Sequence, residues 1–290
     1  MTGTETQGRI AAFFDLDGTL LPLPSLEHRF AAALRVEHAI PFRNYFLWLA
    51  QAARLSPQGL VRMTHANKMY LQNISVSHST LLLRSTGTLV YPKPRRACVP
   101  VSHNAAASVS AKIGHLPSFL PEAIHRAAWH ASQGHAIVLV TGTLEPLAKQ
   151  AARALTICLL AQGITTSINV CATRLEETHG RWTGRIVDEA IFGEAKARAV
   201  QRIAAEGGLH LANCYAYGDT ANDRWMLGAV GSPAAVNPSR ELERIARLCS
   251  WPILLWKQNR SQHASAAATT ETCRSVGCEA IPTVKSEILG

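Results

Sequence analysis

Six polar side chains with catalytic potential stand at or near the ends of short apolar runs in this sequence. Four are carboxylates, one is a hydroxyl group and one is an ammonium group: Asp15, Asp17, Asp219, Asp223, Thr141 and Lys196. Carboxylate oxygens are preferred ligands of Mg²⁺ and similar hard cations, while hydroxyl and ammonium groups donate hydrogen bonds to phosphate oxygens. Together these residue types predict a site for a divalent cation and a phosphate group.

The segments around these residues predict an α/β fold. We interpret five apolar runs as strands and four amphipathic runs as helices: strands at 10–15, 135–140, 165–172, 214–217 and 234–237, and helices at 121–133, 144–160, 193–206 and 223–230. Strands that alternate with helices imply a parallel, doubly wound sheet. Ligands in such sheets bind beyond the carboxyl ends of the strands, where the candidate residues other than Lys196 stand.

The segment between the first two predicted strands has a different character. Residues 26–55 have apolar positions at helical spacing that are interrupted at Pro41, which predicts two helices. Residues 59–71 continue the helical pattern. From 75 to 117 Ser, Thr, Pro and isolated His dominate without periodicity, which is unusual for a loop inside a compact domain.

These patterns divide the chain into a core, an inserted cap and a tail. The predicted boundaries are 1–25 and 120–256 for the core, 26–119 for a helical cap that is irregular at 75–117, and 257–290 for the tail. The tail is polar and aperiodic, so we expect it to be loose and dispensable. Within the core, residues 178–187 have a hairpin pattern with Gly180 and Gly184 expected at turns.

Four segments resemble, in order, the motifs of the haloacid dehalogenase (HAD) superfamily. They are FFDLDGTLL at 13–21, VLVTGT at 138–143, GEAKARAV at 193–200 and YAYGDTANDRWML at 215–227. Their order and spacing resemble subfamily IB, the branch related to phosphoserine phosphatase, and the likeness covers about 1–70 and 120–256. The resemblance implies a doubly wound core with a helical cap inserted after the first motif.

The resemblance also implies a role for each candidate residue in a phosphatase reaction. Asp15 would be the nucleophile that forms an aspartyl phosphate, and Asp17 would act as the general acid and then the general base. Expected ligands of Mg²⁺ are Asp15, the Asp17 carbonyl, Asp219 and Asp223, the last directly or through water. Contacts to the phosphate are expected from Gly18, Thr141, Gly142 and Lys196, and Asn222 is a candidate contact to the substrate.

Other interpretations of these residues stay open at this point. Taken singly, the aspartates could form turns, Thr141 could cap a helix, Lys196 could be solvated, and Asn222 could serve only a turn. A phosphotransferase would use the same Asp15 chemistry with an alcohol acceptor, and a non-catalytic fold that binds a phosphorylated ligand is a further alternative. A dehalogenase is disfavoured, because Asp17 marks the phosphoryl-transfer branch.

The cap segment gives two expectations about the substrate. No acidic residue stands between Asp17 and Glu27 to pair with a substrate amine, so phosphoserine is not the expected substrate. A small or partly apolar phosphomonoester is expected instead. We interpret the apolar, aromatic stretch at 42–48 as core of the cap, with contact to an apolar leaving group as the alternative.

Composition disfavours several other classes of function. The formal net charge is +9, but Lys and Arg are spread along the chain and aromatic residues make up 6%, so nucleic-acid binding is not expected. The most apolar windows, 45–53 and 136–140, are too short to span a bilayer, and the N-terminal residues do not resemble a signal peptide, so a cytoplasmic location is expected. The seven cysteines lack the spacing of a zinc site.

Overall fold

Six parallel strands form the central sheet of the protein. The computed structural model describes residues 9–59, 63, 65–80 and 118–256. Its strands are β1 (Ala11–Phe14), β2 (Ala136–Leu144), β3 (Ile168–Thr173), β4 (Leu175–Thr178), β5 (Arg181–Ile186), β6 (Tyr215–Gly218), β7 (Ser232–Val236) and β8 (Ile253–Leu254). The sheet order is β3-β2-β1-β6-β7-β8, so β1 lies between β2 and β6, where the order of the strands reverses. This confirms the predicted α/β class.

Helices cover both faces of this sheet. The described helices are α1 (Leu26–Val36), α2 (Phe42–Leu55), α3 (Pro121–Ser132), α4 (Glu145–Leu160), α5 (Glu194–Gly207), α6 (Arg224–Leu227) and α7 (Arg240–Leu248). Phe14 packs in a cluster with residues of α3 and α4, and Phe13 packs on the other face with residues of α5, α6 and α7. Both rings are fully buried, which contributes about 1.5–3 kcal/mol for each side chain. The carboxyl end of β1 is therefore firmly held.

The cap is attached to the core through the turn that follows β1. The N–H of Leu26, the first residue of α1, donates to Asp17 Oδ1 at 2.8 Å, and the N–H of His28 donates to the hydroxyl of the N-cap residue Ser25 at 3.2 Å. Two orphan N–H groups at the start of α1 are thus satisfied. One of the candidate catalytic carboxylates therefore also fixes the first residue of the cap.

The hairpin β4–β5 packs against the base of the cap. The Asn73 N–H donates to the Trp182 carbonyl at 2.7 Å, and the Trp182 N–H donates to the Ile74 carbonyl at 2.9 Å. The Trp182 ring is buried in a cluster with Phe30 and Leu34 of α1. Although the hairpin follows β3 in the chain, it therefore stabilises the inserted segment.

Several predicted boundaries are wrong in detail. Gly184 lies inside β5 with φ +85° and not at a turn. A glycine suits this position because a Cβ there would stand 3.1 Å from Met69. The helical pattern at 59–71 does not persist, since residues 67–68 are irregular and Met69–Leu71 is a 3-10 turn. Strand β2 continues to Leu144 past a bulge, α6 ends at Leu227, and β8 was not expected.

Two predicted segments fall wholly or largely outside the described residues. The tail at 257–290 lies wholly outside them. Of the irregular stretch at 75–117 only residues 75–80 are described, and the description resumes at residue 118. Among the helices that the structure describes, none combines the length and the apolar character needed to cross a bilayer. The cytoplasmic location and the domain boundaries stay predictions.

Candidate active site

Three carboxylates meet at the carboxyl ends of β1 and β6. Asp15 follows β1 directly, and its N–H donates to the Tyr217 carbonyl of β6 at 2.9 Å. This pairing of the strands sets Asp15 beside the turn that carries Asp219 and Asp223. Each of the three carboxylates has an oxygen within 4.8 Å of the others, and all three side chains are buried. The motifs at 13–21 and 215–227 thus form one site.

Lys196 supplies the positive charge inside this cluster. Its Nζ donates to Asp15 Oδ1 and to Asp223 Oδ1, each at 2.5 Å, and the three side chains are each less than 10% exposed. Burial lowers the pKa of Lys196, but the two carboxylates outweigh burial and raise it above its ordinary value. The lysine is therefore a fixed cation in the first turn of α5.

Asp223 organises the turn after β6. Its Oδ2 accepts hydrogen bonds from the N–H of Asp219 at 3.1 Å, the N–H of Thr220 at 2.9 Å and the Thr220 hydroxyl at 3.0 Å. The contact from the Thr220 N–H is one half of a capping box at the start of a 3-10 turn, and in the other half the Thr220 side chain accepts from the Asp223 N–H. Since Oδ1 of Asp223 pairs with Lys196, both of its oxygens are engaged in orienting neighbours.

Asp219, by contrast, has a carboxylate oxygen without a partner. Its Oδ1 is buried and makes no hydrogen bond. Burial raises the pKa of Asp219 to about 9, and repulsion by Asp15 and Asp223 adds to the shift. Burial likewise raises the pKa of Asp15 to about 7, although Lys196 opposes that shift. A buried, unpaired carboxylate oxygen is costly, and a bound divalent cation would remove that cost, so the donor set fits Mg²⁺.

Gly18 makes room for Asp219. A Cβ at Gly18 would lie 2.0 Å from Asp219 Oδ2, and the residue has φ +93°. Its N–H donates to the Leu21 carbonyl at 2.7 Å, so this amide is engaged within the turn. What the structure shows for Gly18 is close approach to Asp219, and the expected phosphate contact stays a prediction.

Asp17 faces both the cavity and the cap. Besides accepting from the Leu26 N–H, it accepts at Oδ2 from the Thr143 hydroxyl at 2.5 Å. Burial raises the pKa of Asp17, and the hydrogen bonds from Thr143 and Leu26 oppose that shift. Thr143 had no assigned role, and the only signal for one was its place beside Thr141 at the end of β2.

The remaining predicted phosphate and substrate residues line the same cavity. Thr141 is 1% exposed, and its Oγ1 accepts from the Thr143 N–H at 3.2 Å, which leaves the hydroxyl proton available. A Cβ at Gly142 would lie 3.3 Å from the Ile191 carbonyl oxygen, so a side chain there is restricted. Asn222 also lines the cavity. Of the predicted site residues, all but Gly18 and Asp223 therefore line one cavity.

This cavity has a volume of about 740 Å³ and is closed on one side by cap residues. Glu27, Arg35, Tyr45, Trp48, His65, Lys68 and Tyr70 are among those that line it. The cap thus supplies ionisable as well as aromatic groups. A space of this volume is larger than a phosphate group needs, so the cap residues that line it could contact the rest of a ligand.

The interpretation of residues 42–48 as cap core is wrong. Phe42 is 76% exposed and Phe46 is 60% exposed, while Tyr45 and Trp48 line the cavity. Within residues 42–48 the buried residue is Asn44, whose Nδ2 donates to the carbonyls of residues 70 and 72 at 3.1 and 2.8 Å. A polar side chain therefore anchors α2, and half of its aromatic residues face outward.

The fold and the site define an α/β protein with an acid-rich centre beyond the central strands. A family model described as haloacid dehalogenase-like hydrolase matches residues 12–228. The chain belongs to this family and is a hydrolase. A probable phosphatase of Mycobacterium tuberculosis is 30% identical over 289 residues, which cover 96% of this chain and 88% of that protein.

Other comparisons confirm the resemblance to the branch related to phosphoserine phosphatase. A phosphoserine phosphatase of Mycobacterium tuberculosis is 29% identical over 252 residues, covering 84% of this chain and 70% of the relative. A solved structure from Bordetella pertussis, of unknown function, has a TM-score of 0.59 at 26% identity and covers 85% of this chain and 98% of its own. A phosphoserine phosphatase solved as a phospho-aspartyl intermediate analogue has a TM-score of 0.50 at 15% identity, covers 87% of this chain and 95% of its own, and shows the shared fold.

Proposed function

We propose that the protein is a Mg²⁺-dependent phosphatase that hydrolyses a small phosphomonoester through an aspartyl phosphate on Asp15. The observation that carries this proposal is the buried cluster of three carboxylates around Lys196, with an Asp219 oxygen that has no protein partner. Lys196 balances only one of the three carboxylate charges, so the cluster is unfavourable without a further cation. The names of the phosphatase relatives support the same chemistry.

Asp15 is suited to attack phosphorus. It is buried at the carboxyl end of β1, and its Oδ1 is held by Lys196. One carboxylate oxygen forms a bond to phosphorus as the bond between phosphorus and the alcohol oxygen breaks, which gives an aspartyl phosphate and an alcohol. Attack by water on that phosphorus then releases inorganic phosphate and restores the carboxylate.

Asp17 is suited to move the protons of both steps. The shift of its pKa toward higher values favours the neutral acid, which protonates the departing alcohol oxygen in the first step. The resulting carboxylate then accepts a proton from the attacking water. The hydrogen bonds from Thr143 and Leu26 hold the carboxyl group in one orientation throughout.

The other residues bind charge that develops during transfer. Lys196 and the Thr141 hydroxyl would stabilise the equatorial phosphoryl oxygens, with help from the Gly142 N–H. Mg²⁺, held by Asp15, the Asp17 carbonyl and Asp219, would neutralise the carboxylates and the phosphoryl oxygens when bound. Asp223 would keep Asp219 and Lys196 in position, because it contacts both.

A phosphatase panel tests this proposal. The purified protein is assayed for phosphate release from a set of phosphomonoesters, with Mg²⁺ and with a chelator in its place. Hydrolysis that requires Mg²⁺ is expected, and Asp15→Asn protein prepared in the same way measures any contaminating phosphatase. Release that is equal in the wild type and the Asn variant, or that persists in chelator, would contradict the proposal.

A further inference from the structure

A buried ion pair in the cap lines the same cavity as the carboxylate cluster. Lys68 Nζ pairs with Glu27 Oε1, and the Tyr70 hydroxyl donates to the same oxygen at 2.9 Å. Lys68 is only 3% exposed, although lysine is almost never fully buried unless it is paired. The pair is therefore a built feature of the cavity wall and not a chance contact between solvated side chains.

The backbone around Lys68 is held on several sides. The neighbouring Asn67 side chain donates to the Trp48 carbonyl at 2.8 Å, which ties it to α2. On the other side, Gly184 of the hairpin approaches so closely that a Cβ there would lie 3.4 Å from the Lys68 carbonyl oxygen. The lysine is thus positioned by contacts that do not involve its own charge.

The pair changes what the cap wall can recognise. Within the described part of the chain, Glu27 is the only acidic residue that the cap contributes to the cavity lining. Its Oε1 already receives two donors from the protein. An ammonium group on a substrate would meet a carboxylate whose charge Lys68 already balances, and the Lys68 ammonium group beside it would repel it. A substrate hydroxyl oxygen could instead accept from a further N–H of Lys68.

We propose that Lys68 determines substrate specificity by occupying Glu27, so that the enzyme favours phosphomonoesters whose leaving alcohol carries a hydroxyl group over those that carry an ammonium group at the same place. This inference rests on the proposed phosphatase function. It names the substrate class of that site as small, amine-free and hydroxylated phosphomonoesters. Lys68 acts on the distal part of the leaving group and not on phosphorus.

Matched substrate pairs test the inference. 2-Hydroxyethyl phosphate and phosphoethanolamine differ only in a hydroxyl or ammonium group, and 3-phosphoglycerate and phosphoserine differ in the same way. The wild type is expected to show a kcat/KM ratio of hydroxyl over ammonium substrate of about tenfold or more, the size expected for one hydrogen-bonded charge. A ratio near one, or a preference for the ammonium member, would overturn the inference.

Variants assign this preference to Lys68. Lys68→Met frees Glu27, so the ratio should shift toward the ammonium substrate by about tenfold or more, while Lys68→Arg keeps the pairing charge and should retain the wild-type preference. Glu27→Gln leaves Lys68 without its counter-charge and should disfavour the ammonium member further. Lys149→Met removes an exposed lysine that pairs with Glu145 at 3.0 Å and should leave the ratio unchanged.

The outcomes separate this inference from the proposed function. If Lys68→Met is folded by circular dichroism and its ratio equals that of the wild type, Lys68 does not set specificity. If Lys68→Met does not fold, the kcat/KM ratio of the Glu27→Gln variant is compared with that of the wild type instead. An equal ratio would again show that the Lys68–Glu27 pair does not set specificity. If no substrate is hydrolysed, the proposed function fails, and calorimetric binding of each pair to Asp15→Asn protein still measures the preference. Equal binding of both members there would overturn the inference.

Discussion

Replacing Gly18 by alanine should weaken Mg²⁺ binding as well as destabilise the fold. The added Cβ would lie 2.0 Å from Asp219 Oδ2 and 2.6 Å from Asp219 Cγ. Because favourable contacts between carbon atoms begin at about 3.5 Å, the carboxylate must move by on the order of 1 Å. Metal–ligand distances tolerate about 0.2 Å, so Asp219 could not keep its place as a ligand.

The size of the effect follows from two separate costs. An alanine forced to adopt φ +93° costs on the order of 1–3 kcal/mol of stability, whatever surrounds it. Disturbing the orientation of a metal ligand typically costs about 10–100-fold in metal affinity. Gly134→Ala is the matched control, because Gly134 has φ +75° and nothing lies within 4 Å of an added Cβ.

Two titrations measure the effect of Gly18→Ala. The half-saturating concentration of Mg²⁺ for turnover should rise by about tenfold or more, and the Mg²⁺-induced increase in Tm should fall accordingly. Gly134→Ala should lose stability alone and keep the wild-type response to Mg²⁺. If Gly18→Ala has the wild-type half-saturating concentration, or if both variants respond alike, Asp219 does not hold the metal.

Thr143 and His130 give predictions that do not concern the binding of the metal. Thr143→Val removes the hydroxyl group that donates to Asp17, so the hydrolysis of alkyl phosphates should slow by about tenfold or more. Hydrolysis of p-nitrophenyl phosphate, whose leaving group needs no proton, should slow much less. Equal losses of rate for both substrates would argue against Asp17 as the general acid. Burial, with the nearby His135 and Arg126, lowers the pKa of His130 to about 3. Between about pH 6.5 and pH 3 the unfolded chain therefore binds this proton and the folded chain does not. As the pH is lowered through this range, the free energy of unfolding should fall by up to about 1.4 kcal/mol per pH unit. Denaturant unfolding of His130→Gln should lack this part of the pH dependence, and a variant with the wild-type slope would contradict it; the exposed His125→Gln, on the same helix, should keep the slope.

The parts of the structure that could be predicted are those encoded by local patterns. Strand β1 is four consecutive buried residues followed at once by Asp15, and its apolar run is visible without any tertiary information. The parallel sheet then places Asp15 near Asp219, because both follow strands that turn out to be neighbours. Fold class and the grouping of the site residues therefore followed from short segments of sequence.

The features that could not be predicted depend on contacts between distant segments. Lys68 looks like a solvated lysine in the sequence, and its partner Glu27 lies 41 residues away. Thr143 acquires a role only because Asp17, 126 residues earlier in the chain, faces it. Gly184 suggested a turn, but its positive φ serves close packing of the hairpin on Met69. No local period carries such information.

The exposed aromatic residues of α2 show the same limit in a different way. An apolar stretch at helical spacing normally predicts a buried face. Here Phe42 and Phe46 point outward because Asn44 occupies the buried side and bonds two carbonyls. The periodicity identified the helix correctly but could not decide which of its faces is covered.

The central claim is that the phosphoryl group passes through Asp15, and rapid-quench peptide mass spectrometry tests it most directly. The wild type is mixed with substrate and Mg²⁺, quenched in acid within a turnover and digested with pepsin at low pH. A phosphoryl group on the peptide that contains Asp15, labile to hydroxylamine and missing from the Asp15→Asn protein, is the expected result. An unmodified Asp15 peptide during turnover, together with undiminished hydrolysis by the Asn variant, would contradict the account.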